Sequence, residues 1–206
     1  MKPLRPLKPI ATLTLMAALG TAGCANYVSY RADGFKHMEA GDTEAAVESF
    51  KQSVEARPTD FQAHYWLGVN FLKEGDAIST QAPLEQALAL RPNDPQWRPR
   101  IADALADSYY QQGPGQVERL YTFLDNMVVT YGYQTGDYTR KARFLGQLGD
   151  GDGQKLALDK AAYFAPAGDL APYLALADFY RGFNNVPAEI QALKYGYHTD
   201  PSSEVV

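Results

Sequence analysis

Cysteine occurs once in the 206 residues, as Cys24, and histidine only three times. A single thiol closes no disulfide framework and completes no zinc ligand set. His37, His64 and His198 have no second ligand at helical spacing, so no metal is expected. The chain also lacks a phosphate-binding glycine loop, a nucleophile elbow and a HExxH pair. With no constellation of acid, base and nucleophile, neither catalysis nor a cofactor is expected. The apolar run from Ile10 to Leu19 has ten residues, about 15 Å as a helix and about half of a bilayer's hydrocarbon core. Positive charge is scarce as well. Three of the 19 basic residues (Lys2, Arg5, Lys8) lie in the first 23 positions, leaving 16 basic against 24 acidic residues beyond them. A mature chain at −8 has no cationic stripe for nucleic acid and no polybasic face for anionic lipid.

What is present at the N-terminus is a cationic start, a short apolar stretch, then Thr21, Ala22, Gly23 and Cys24. That order is that of a secretion signal occupying residues 1–23. Small residues directly before a cysteine resemble the bacterial lipobox, in which the thiol is acylated and becomes the new N-terminus. Thr21 departs from the leucine usual at that place. An ordinary signal cleaved after small residues, leaving a soluble periplasmic or secreted protein, is the alternative. The lipobox resemblance implies lipid attachment (palmitate among the acyl chains) at Cys24, a short tether over 24–29, and anchoring to a membrane. Several chains on one residue hold firmly where one would not. Ala25 and Asn26 imply sorting to the periplasmic face of the outer membrane.

Beyond the tether the chain repeats itself. Pro58 closes AVESFKQSVEARP and Pro92 closes APLEQALALRP, 34 residues apart. Gly34 and Gly68, Ala46 and Thr80, and Phe50 and Leu84 keep the same spacing, as do the Gly41-Asp42 and Gly75-Asp76 turns. Each turn offers a glycine to end one helix and an acid to cap the next; Asp60 is placed to cap the helix after it. This pattern resembles the tetratricopeptide repeat (TPR) family, whose period is 34 and whose motif places small residues where paired helices cross. The resemblance implies an all-α fold, a right-handed α-solenoid of helix-turn-helix pairs over residues 30–203. The repeats fall at 27–60, 61–94, a degenerate 98–132, 135–168 and 170–203. Five pairs are expected, or four if the degenerate stretch forms none.

Gly149-Asp150-Gly151-Asp152-Gly153 resembles the start of a calcium loop, but Gln154 and Lys155 follow and no closing glutamate stands in place; a turn between paired helices is expected there. In TPR proteins the first helix of each pair lines a concave groove. Phasing by the prolines puts Arg31, Tyr65, Val69, Asp103, Asp107, Tyr110, Arg140, Arg143, Asp178 and Arg181 near it. A mixed aromatic and charged groove suits an extended peptide or a partner helix. The function implied is a lipid-anchored envelope scaffold for protein binding, serving assembly or regulation of an outer-membrane or cell-wall complex such as a secretin or pilus. The alternative is a glycan-binding accessory in polysaccharide export or wall remodelling. A homodimer is compatible with either.

Overall fold

The computed structural model describes residues 14–132 and 134–199, with side chains from residue 26 onward. Residues 1–13 of the signal segment, the side chain of Cys24 and Pro201 lie outside the described residues. Ten helices make up the described chain: α1 (Thr14–Glu39), α2 (Thr43–Ala56), α3 (Phe61–Lys73), α4 (Ala77–Leu90), α5 (Trp97–Gln111), α6 (Val117–Thr130), α7 (Thr135–Gln147), α8 (Gly151–Tyr163), α9 (Ala171–Gly182) and α10 (Val186–Thr199). They fall into five consecutive pairs, and the contacts are densest within pairs such as α1 with α2 and α7 with α8. The chain divides into two compact units, residues 1–90 and 91–206.

Four of the five pairs close with the same turn. Gly41 adopts φ +76°, its N–H donates to Met38 O, and Asp42 N–H donates to His37 O at 2.9 Å. Gly75-Asp76 and Gly149-Asp150 repeat both bonds, with φ +81° and +80°. The last pair does so with Asn184-Asn185. This left-handed termination satisfies the orphan carbonyls of the first helix. The acid then caps the second helix: Asp42 Oδ1 accepts from Ala45 N–H at 3.0 Å and Asp76 Oδ1 from Ser79 N–H at 3.0 Å. The calcium-loop-like GDGDG segment is this same turn, with Asp150 accepting from Gly153 N–H at 2.8 Å. The α5–α6 pair differs, with Gly113 leading into a 3-10 turn at Pro114–Gln116.

In the first unit, Ala46, Val47, Phe50 and Leu67 form the buried centre, with Phe35 and Trp66 against it. Phe35 meets the Phe50 and Trp66 rings edge-on at 5.5 and 5.6 Å, the geometry the ring quadrupoles favour. Small residues permit the close crossings. A Cβ on Gly34 would lie 2.7 Å from the Phe50 ring, and one on Gly68 would lie 2.6 Å from Leu84 Cγ. Two buried polar side chains bond to backbone within the unit: Ser53 Oγ donates to Tyr27 O at 2.9 Å, and Asn70 Nδ2 to Trp66 O at 2.7 Å. His64 Nε2 lies 2.8 Å from Pro58 O. Proline is not only a stop here. α2 and α4 end two residues before Pro58 and Pro92, yet Pro83 stands inside α4, where it forgoes one intrahelical bond.

In the second unit, Ala142, Leu145, Ala157, Leu158, Leu176 and Ala177 pack in one cluster. Ala142 and Ala177 stand where the first unit uses glycine. Tyr138 stacks on Phe164 with centroids 5.5 Å apart.

Candidate functional site

In the second unit, the first helices α5 and α7 are joined by an ion network. Asp137 falls in the first turn of α7, where the helix N-terminus favours an anion. It is buried, accepting from Arg98 Nη1 at 2.7 Å and from Arg140 Nη1 at 2.7 Å. Arg98 also donates to Gln134 and lies 4.8 Å from the Tyr131 ring centroid. Arg140 reaches back to α5, its Nε donating to Asp103 Oδ1 at 2.8 Å and its Nη2 to Pro99 O at 3.1 Å. Asp103 accepts again from Arg143 Nη2 at 3.2 Å, and Arg143 faces Asp107 at 3.7 Å. The order Arg98, Asp137, Arg140, Asp103, Arg143, Asp107 thus alternates in sign and runs from the interior to the surface.

Its inner half is structural and its outer half is open to solvent. Arg98, Asp137 and Arg140 side chains are at most 5% exposed, whereas Asp103, Asp107 and Arg143 are 41–46% exposed. An open cleft of about 390 Å³ lies over the outer half, lined by Asp103, Gly136, Thr139, Arg140 and Arg143. Partial burial holds the Asp107 carboxyl above its ordinary value, an effect Arg143 opposes and Asp103 reinforces. The cleft therefore offers the Asp103 carboxylate and the Arg143 cation side by side, with the incompletely hydrated Asp107 next to Arg143.

Of the ten residues expected near the groove, the structure joins Asp103, Asp107, Arg140 and Arg143 in this network. Arg140 is both a buried strut, bonded to Asp137, Asp103 and Pro99 O, and part of the cleft's lining. Tyr110 is exposed, with its ring 6.0 Å from Phe144. On α9, Arg181 donates to Asp178 at 2.7 Å and to Glu189 at 2.8 Å. These surface pairs are screened and contribute little. In the first unit, Arg31 Nη1 donates to both oxygens of Asp60, at 3.0 and 2.8 Å. That same carboxylate caps α3 through Gln62 and Ala63, so Arg31 ties α1 to the start of α3. Tyr65 and Val69 are half-buried on α3, Tyr65 meeting Trp66 edge-on at 5.0 Å.

Gly136 and Thr139 line the cleft without having been expected there. With Arg143 they make the i, i+3, i+7 stripe of one helix face, a spacing present in the sequence. The Arg98–Asp137 pair carried no such signal, since its partners are 39 residues apart. Among the described residues no group of three His, Cys, Asp or Glu could hold a metal ion, and no helix is long and apolar enough to cross a membrane.

No protein-family model matches the chain, and no curated protein does. Solved structures do resemble it. A MamA protein aligns with TM-score 0.57 at 15% identity, covering 88% of this chain and 97% of its own. PilW, described as a widely conserved type IV pilus biogenesis factor, aligns with TM-score 0.58 at 16% identity over 92% of this chain and 86% of its own. A thermophilic TPR protein of Thermus thermophilus aligns with TM-score 0.53 at 18% identity over 86% of this chain and 93% of its own. Five helix pairs, glycine or alanine at the crossings of four of them, and these likenesses together make the fold that of an all-α TPR solenoid.

Proposed function

We propose that the chain is an adaptor of the bacterial envelope, lipid-anchored through Cys24, that holds an extended segment of another protein along its first-helix groove. The observation that carries this reading is the half-exposed trio Asp103, Asp107 and Arg143 beside an open cleft. A stable core has no need to keep three charges partly dehydrated at one surface. A peptide backbone, with its alternating N–H and C=O groups, would find both acceptors and donors there. The pilus-biogenesis description of PilW supports assembly or regulation of an outer-membrane complex as the setting, and the lipobox-like run before Cys24 supports the anchor.

Two results test the parts separately. Arg143→Glu is expected to abolish capture of the partner from cross-linked envelopes while leaving the melting temperature nearly unchanged, because the side chain is half exposed. Retention of the same partner by the variant would exclude this groove. Cys24→Ser is expected to move the protein from the membrane to the soluble fraction. Membrane association that survives a carbonate wash would rule out the acyl anchor.

A further inference from the structure

Among the described residues no helix covers one apolar face of the α9–α10 pair, and the chain's own repeat shows what such a face receives. On α8 the positions 151, 155, 158 and 162 face α9 and Phe183 directly after it. A Cβ on Gly151 would lie 3.9 Å from Phe183, and Lys155 lies 5.9 Å from the Tyr180 ring centroid. Leu158 shares a cluster with Leu176, and Ala162 O accepts from the Tyr173 hydroxyl at 3.1 Å. Thirty-five residues on, the same positions of α10 are Val186, Ile190, Leu193 and Tyr197. Val186, Ile190 and Tyr197 are 55%, 46% and 45% exposed, Leu174 on α9 is 47% exposed, and Leu193 is half-buried against the unit's own core. Leu174, Leu193 and Tyr197 also border a narrow slot between α9 and α10.

We propose that the face is the seam of a two-fold dimer, in which α10 packs antiparallel on α10 of a second copy. The spacing carries the choice of occupant. Positions 186, 190, 193 and 197 are separated by four, three and four residues, the interval of a coiled-coil seam. That interval reads the same in both directions, so a two-fold axis between residues 191 and 192 sets Val186 against Tyr197 of the second copy and Ile190 against its Leu193. No charged residue falls in the seam. With Leu174 and the rim of Pro187, Gln191 and Lys194, the pairing would bury on the order of 1,000 Å² in total, the low edge of a specific interface. A dimer of micromolar affinity is expected. Head-to-tail stacking on α1 is disfavoured: Asp33, paired with Lys36 at 3.0 Å, stands at the place of Leu67 and would be dehydrated against Leu193.

The dimer does not rest on the groove reading, and either can fail alone. Sedimentation of the purified full chain in a non-ionic detergent, from about 1 to 200 µM, should show a monomer–dimer equilibrium. Ile190→Lys should be monomeric throughout with an unchanged thermal midpoint. In a Cys24→Ser background, Val186→Cys with Tyr197→Cys should form a disulfide-linked dimer on mild oxidation. A wild type that stays monomeric, as when residues 200–206 or another protein fill the seam, overturns the proposal. So does a dimer that survives Ile190→Lys.

Discussion

Gly68→Leu should lower the stability of the first unit by about 3 kcal/mol, the upper range for overpacking a filled core. The geometry leaves nothing to absorb the side chain. Its first carbon alone would stand 2.6 Å from Leu84 Cγ and 3.2 Å from the Thr80 carbonyl oxygen. Leu84 and Thr80 are both fully buried, and a backbone carbonyl within a helix cannot rotate aside. α3 and α4 must therefore separate, uncovering Leu84 and Ala87. Gly68→Ala should show a smaller loss of about 1 kcal/mol. Urea unfolding followed by circular dichroism reads both. An unchanged midpoint for the leucine variant would mean that the helices do not cross at this residue.

Asp137→Ala should be at least as damaging to the second unit, by about 3–5 kcal/mol. The carboxylate neutralises two guanidinium groups, and both side chains are only 5% exposed. Removing it leaves Arg98 with Gln134 and Arg140 with Asp103 and a carbonyl, and one buried cation without a counter-charge. Hydration cannot compensate at that depth. Asp103→Ala serves as the contrast. Its carboxylate is 41% exposed and Arg140 keeps Asp137, so the loss should stay below about 1 kcal/mol. Hydrogen exchange on α5 and α7 would separate the two. Equal protection in both variants would show that the network is ornamental. Because the inner pair is shielded from solvent, the difference should persist in high salt.

Much of the fold was legible in the sequence because its signals are local. A glycine ending one helix and an acid capping the next act within five residues, and they recur at a fixed distance. Gly34 and Gly68 told of close crossings for the same reason: the packing needs an absence at one position. The site was less legible. Arg140 was expected near the groove and lines the cleft, but its second role as a buried strut to Asp137 and Asp103 was not legible. Nor does helical spacing relate Arg98 to Asp137, since the chain between them makes a whole helix pair. The exposed seam on α10 has the composition of any packed helix. Its meaning depends on none of the described helices covering it, which a pattern of residues does not state.

The repeated turn has a consequence for how such a chain changes length. At Gly41-Asp42, Gly75-Asp76 and Gly149-Asp150 the turn's backbone bonds and the helix cap are made by residues no more than five positions apart. A coding segment copied from one such junction to the next would thus arrive with that hydrogen bonding complete at both joints. Unequal recombination between residues 41 and 75 would add or delete 34 residues and expose no unpaired backbone group at the joint. The α5–α6 junction, with its 3-10 turn after Gly113, is out of step with that exchange. Duplications that begin or end there should be the ones a lineage fails to keep.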